Sequence, residues 1–99
     1  MKTTTGPISA DYKVPGGKLL RVMLELDKST DPAKIASISL NGDFFMHPEE
    51  AIEGLEARLV SAPWEAAALQ DTVQTFFDTD VEIIGADVES IVHVILAAR

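Results

Sequence analysis

The residues of this chain that could do chemistry are few, and they fall in two places. Gly16-Gly17-Lys18 sets a cation directly after a glycine pair. Backbone N–H groups exposed at such a turn, together with the ammonium, could meet a phosphate or a carboxylate. The run is not a P-loop, which needs a longer spacing and a helix that follows at once, and an ordinary solvated lysine at a hairpin tip is the plainer reading. His47 lies beside Glu49 and Glu50. That trio could recruit a metal, although a role at the start of a helix accounts for it more simply. His93 follows Glu89 by four positions, the spacing of a helical side-chain pair. No catalytic residue and no metal site is assigned from these spacings, because a nucleophile–base–carboxylate triad is recognised by geometry that spacing does not carry.

Composition removes whole classes of chemistry. The 99 residues include no cysteine, which excludes disulfides, thiolate catalysis, cysteine-bound zinc and cysteine-ligated iron–sulfur clusters together. The net charge of −8 is unevenly spread: six Lys and Arg stand against five Asp and Glu over residues 1–46, and two against eleven over 47–99. Only the first part could face a phosphate comfortably, and the second argues against general nucleic-acid binding. A hydrophobic fraction of 46% suits one domain with a single core. The opening Met1-Lys2-Thr3-Thr4-Thr5 lacks the apolar run of a signal peptide, and the apolar stretch from Ile91 to Ala98 is too short to span a bilayer. The expectation is a soluble, cytoplasmic protein with no membrane and no nucleic-acid partner, in which residues 1–7 are a disordered tail and residues 8–99 the folded domain.

The elements that must position the candidate residues follow from periodicity. Ile8, Ala10, Tyr12 and Val14 alternate with Ser9, Asp11 and Lys13, the pattern of a half-buried strand. Val14-Pro15-Gly16-Gly17 fits a type II turn, with proline second and glycine third, where φ must be positive. The chain returns as a strand over 18–26 with Leu20, Val22, Leu24 and Leu26 inward, while Leu19 and Met23 predict that the opposite face is partly covered too. After a polar turn over 27–32, residues 34–41 complete an antiparallel meander. Pro48 then opens a helix over about 48–60, with Glu49 and Glu50 in its first turn against the helix dipole. A second helix runs from Trp64 to about Asp78, and residues 78–86 connect, with 81–84 able to extend. Asp87 caps a last helix over 88–98. That helix is apolar on most sides, so it is either sandwiched within the domain or shared with another chain. The predicted fold is α+β: a three-stranded antiparallel meander followed by three helices packed on it, burying Leu20, Val22, Leu24, Ile38, Leu40, Ile52, Leu55, Phe76, Ile91 and Ile95.

Phe44-Phe45 does not fit a plain strand, because neighbouring side chains point to opposite faces. Either a bulge beside Gly42 lets both rings pack, or one ring stays at the surface as a docking residue. The expectation is one ring in the core and one at or near the surface.

Taken together, Tyr12-Lys13-Val14-Pro15-Gly16-Gly17-Lys18-Leu19-Leu20 and the later Gly42-Asp43-Phe44-Phe45 with Pro48-Glu49-Glu50 resemble the small C-terminal domain of lipoate-protein ligases. The chain is most similar to the free-standing version of that domain, the accessory subunit of two-part lipoate ligases, over about residues 8–98. The resemblance implies a family that activates lipoate with ATP to lipoyl-adenylate and then moves the lipoyl group to a lysine of an acceptor domain. It further implies that the large catalytic domain is this chain's partner and that lipoyl-acceptor domains are met only indirectly. The chain alone would have no ligase activity and bind no cofactor, with ATP, magnesium and lipoate held in the partner's active site. Gly16, Gly17 and Lys18 are then substrate-proximal candidates, and Asp43, Phe44, Phe45, His47 and Glu49 partner-interface candidates. The fold also resembles that of iron–sulfur scaffold and sulfur-transfer proteins, whose chemistry needs the cysteine this chain lacks. The alternative is a self-associating or general interaction module that has kept the fold and lost the ligase role, which leaves homo-oligomerisation open.

Overall fold

The alternation read in the first half of the chain produces the expected meander. In a computed structural model describing residues 4–16, 18–79 and 81–99, strands β1 (Ile8–Val14), β2 (Lys18–Asp27) and β3 (Lys34–Gly42) form an antiparallel sheet in the order β1-β2-β3. Tyr12 faces Leu20, and Val22 faces Leu40. Leu20, Val22, Leu24 and Leu26 share the inner face, and all four are buried. The chain continues through β4 (Phe45–His47), α1 (Ala51–Leu59), α2 (Ala66–Phe77), β5 (Glu82–Ile84) and α3 (Val88–Ala97). Of the ten predicted core residues, Ile38 and Ile52 are half-buried and the others buried.

The last helix is sandwiched. It packs on β1, β2 and α2, and Ile91, Val92, Val94 and Ile95 are buried there. Asp87 caps it, accepting from the Ser90 N–H at 2.7 Å. Hydrogen bonds from the Ser90 side chain first, and from its amide, hold the Asp87 carboxyl below the usual carboxylate range. Trp64 ties the helix from the other side, its Nε1–H donating to the Ile95 carbonyl at 3.0 Å.

Several expectations need correction. Helix α1 begins at Ala51, not Pro48. Pro48, Glu49 and Glu50 form a turn in which the Ala51 N–H bonds the Pro48 carbonyl and the Glu53 N–H bonds the Glu50 carbonyl, so Glu53 is the acid of the first turn. Helix α2 begins at Ala66 because residues 62–64 are held extended against β3. There the Ile35 N–H bonds the Ala62 carbonyl at 3.0 Å and the Trp64 N–H bonds the Ala33 carbonyl at 2.7 Å. The outer sheet face, expected to be partly covered, is so at Leu19, which is half-buried, and open at Met23, which is 54% exposed; the helices pack on the inner face, where Leu20, Val22 and Leu24 lie. His93 does not pair with Glu89; its ring lies 4.3 Å from that of Tyr12. Near the start of the chain, Thr4 bridges Asp27 and the Thr5 N–H bonds the Leu26 carbonyl at 2.9 Å. Residues 1–3 lie outside the described residues.

Both outer edges of the meander are blunted, which limits strand pairing with other chains. Ser9 on β1 exchanges backbone hydrogen bonds with Arg99, at 3.1 and 3.4 Å. On β3, the Glu56 carboxylate of α1 accepts from the Leu40 N–H at 2.7 Å. Among the described residues no helix is long and apolar enough to cross a membrane.

Candidate functional site

The runs Tyr12–Leu20 and Gly42–Phe45 lie 22 positions apart at their nearest ends in sequence and meet at one end of the molecule. Pairing of Leu20 with Gly42 brings the end of β3 beside the root of the β1–β2 hairpin. The Asp43 N–H then donates to the Leu19 carbonyl at 2.8 Å. Gly42 has φ +145°, and a Cβ there would overlap the Leu19 carbonyl oxygen. Only a glycine lets the β3–β4 joint lie this close to β2.

A second sheet completes the site. Strands β4 and β5 pair antiparallel as a two-stranded ribbon, with Phe45 opposite Ile84, Met46 opposite Ile83 and His47 opposite Glu82. Alternation directs Met46, which is buried, and Ile83, which is half-buried, toward the core. The outward face carries Phe45 at 71% exposure and Ile84 at 62%, with His47 and Glu82 beyond them. Phe44 is half-buried against the core, so the two neighbouring rings diverge as adjacent positions require. Beside Phe45 lies a shallow depression of about 240 Å³ whose lining includes Leu40, Phe44, Glu49 and Ile52.

The hairpin touches this ribbon through Gly85. A Cβ at Gly85 would stand 3.3 Å from Lys18 Cγ and 3.2 Å from the Asp43 carbonyl oxygen, so the aliphatic stem of Lys18 lies against the backbone just beyond Ile84. Lys18 is exposed. The ion pair formed among the described residues is Arg21–Asp11 at 2.8 Å on the open sheet face, which leaves the Lys18 ammonium without a carboxylate partner there. Gly16 occupies the turn with φ +106° and faces open space, as the third position of the predicted turn requires. Gly17 falls outside the described residues.

The structure thus gathers Lys18, Asp43, Phe44 and Phe45 into one patch, with His47 further along the ribbon and Glu49 at the depression. Two residues that sequence reasoning passed over belong with them, Ile84 and Gly85. The signal available for them was the run Val81-Glu82-Ile83-Ile84-Gly85, a short β-prone stretch closed by a glycine, but nothing in it names β4 as its partner. Among the described residues no three His, Asp or Glu side chains group so as to hold a metal ion. What the patch offers is a free cation and an apolar knob on a rigid frame, which are groups for binding.

No protein-family model matches the chain. Over 85 residues it is 33% identical to the lipoate-protein ligase A subunit 2 of Thermoplasma acidophilum, an alignment covering 86% of this chain and 83% of that protein. Its fold superposes with a TM-score of 0.76 and 29% identity on a chain from the solved structure of an archaeal lipoylation system, a bipartite lipoate protein ligase and its E2 lipoyl domain from the same organism, covering 90% of this chain and 93% of the other. One-third identity along most of both chains, on a shared meander-then-helices fold, settles the relationship: this chain belongs to the lipoate-protein ligase A subunit 2 family.

Proposed function

We propose that this chain is the cytoplasmic accessory subunit of a two-part lipoate-protein ligase, docking on a separate catalytic domain and supporting ATP-dependent activation of lipoate to lipoyl-adenylate. The observation that carries this reading is the convergence of the hairpin root and the Gly42–Phe45 joint on one exposed patch with a free lysine. In the activation step the lipoate carboxylate attacks the α-phosphorus of ATP and pyrophosphate leaves, so negative charge develops on the phosphates. ATP, magnesium and lipoate belong to the partner's pocket, and this chain contributes no bond-making group. Lys18, its stem steadied on Gly85, supplies positive charge toward the phosphates when the small domain closes on the large one.

The test uses the purified chain with the lipoate ligase catalytic subunit from the same genome. Pyrophosphate release from ATP and lipoate is measured separately from lipoyl transfer out of preformed lipoyl-adenylate. Lys18→Ala is expected to keep the fold and the complex and to slow adenylate formation by about tenfold to a thousandfold, the scale of losing one charge-stabilising donor. Transfer should change much less, since the pyrophosphate has already left. Equal activation rates would reduce Lys18 to a solvated turn residue, and no stimulation by the wild-type chain would overturn the accessory reading.

A further inference from the structure

The ribbon presents a feature that a free-standing domain has no use for. Phe45 and Ile84 oppose each other on strands of three residues and remain mostly in solvent. Cross-strand contact between them helps the ribbon, yet a pair serving only that purpose would shield itself better than 71% and 62% exposure. The ribbon behind the pair is anchored, since Met46 is buried and α1 packs on β4. A large aromatic and a branched aliphatic side chain on a rigid support lose little conformational freedom on binding, which is the character of an interface anchor.

Charge decides what covers the pair. Asp43 precedes Phe45 by two positions, Glu82 precedes Ile84 by two on the same outward face, and Glu49 borders the depression; all three are exposed. A second copy docking by a twofold contact centred on the pair would bring the same acidic surroundings face to face, and like charges across an interface are strongly unfavourable. A partner with an apolar socket and a basic rim meets both the pair and its surroundings. The patch is also continuous with Lys18 through Gly85, so whatever seats the ribbon sets where Lys18 points.

We infer that Phe45 and Ile84 together form the anchor by which this chain docks on the ligase catalytic subunit, inserting into an apolar socket rimmed by Lys or Arg side chains. This inference rests on the accessory-subunit reading. Phe45→Thr and Ile84→Thr test it, because threonine keeps the strand propensity of both positions; Met23→Thr, on the open sheet face, is the control. Affinity for the catalytic subunit is measured by calorimetry at low and high salt, with melting curves of each variant alone. Each ribbon variant is expected to raise Kd by about 30-fold, the scale of an interface hot spot, and the double variant by less than the product, since both side chains share one socket. Wild-type affinity should fall as salt rises, and Met23→Thr should bind as wild type. If the wild-type chain binds and the ribbon variants bind equally well, the anchor is overturned while the accessory reading stands. If the wild-type chain does not bind, the accessory reading fails and the anchor with it. Self-association that depends on Phe45 and Ile84, with no binding to the catalytic subunit, would assign the pair to a second copy and likewise overturn the inference.

Discussion

Replacing Gly42 by alanine should be among the most damaging single-methyl changes in the chain, and Gly16 supplies its control. Both glycines have positive φ, +145° at Gly42 and +106° at Gly16, a region that costs a side chain of order 1–3 kcal/mol. They differ in space. A Cβ at Gly16 meets nothing within 4 Å, whereas at Gly42 it overlaps the Leu19 carbonyl oxygen and lies 3.1 Å from Leu20 Cα. These neighbours are backbone atoms of the central strand and cannot swing aside. The end of β3 would have to move away from β2, losing the Asp43–Leu19 hydrogen bond, worth about 1 kcal/mol. Gly42→Ala is therefore expected to cost about 3 kcal/mol and Gly16→Ala about 1 kcal/mol. For a domain of this size that places the melting temperature of Gly42→Ala on the order of 15 °C below wild type. Urea unfolding followed by fluorescence of the single tryptophan, Trp64, gives both values. Equal destabilisation by the two substitutions would refute the reasoning, because the overlap is what distinguishes them.

Two further perturbations probe the frame behind the site. Glu56→Ala should destabilise by about 2 kcal/mol, since it strands the Leu40 N–H at a buried position and removes a charge-assisted acceptor; Glu56→Gln, which can still accept, should cost less than half as much in the same unfolding assay. Asp87→Ala should cost about 1 kcal/mol as the loss of an N-cap. The Asp87 carboxyl is held below its usual range when folded. Its contribution is therefore fully present above the ordinary aspartate pKa and is lost as pH falls through the lower folded value. Stability measured between pH 7 and pH 2 should accordingly fall less steeply in Asp87→Ala than in wild type. Parallel pH curves would show that the cap is not coupled to folding.

Much of the fold and half of the site were legible in the residues alone, and the reason is local. Strand alternation from Ile8 to Asn41 depends on a period of two that any short window displays. The Asp87 cap depends on residues three apart, and the divergence of Phe44 from Phe45 follows from adjacent Cβ directions. The Gly16–Lys18 turn and the Gly42–Phe45 joint were visible for the same reason, each as a separate motif. Their convergence was not, because it requires the register of β2 on β3 and a close approach at Gly42 that only a paired sheet reveals.

What tertiary structure decided lies in contacts between segments far apart in the chain. Pro48 and Trp64 both carry helix-start signals, yet Pro48 falls in a preceding turn and Trp64 is held extended by backbone bonds to the beginning of β3. Backbone partners outside the local window outweigh a propensity of a few tenths of a kcal/mol per residue. Phe45–His47 and Glu82–Ile84 are too short to be stable strands by themselves, and closing the long loop between them costs entropy that no local signal offsets. They pair where the packing of the domain holds Met46 and Ile83 against one core. Phe45 and Ile84 thereby come to stand side by side and face outward. Residue types told that two apolar side chains existed; the pairing of β4 with β5, with Met46 and Ile83 directed to the core, determined that these two face outward together.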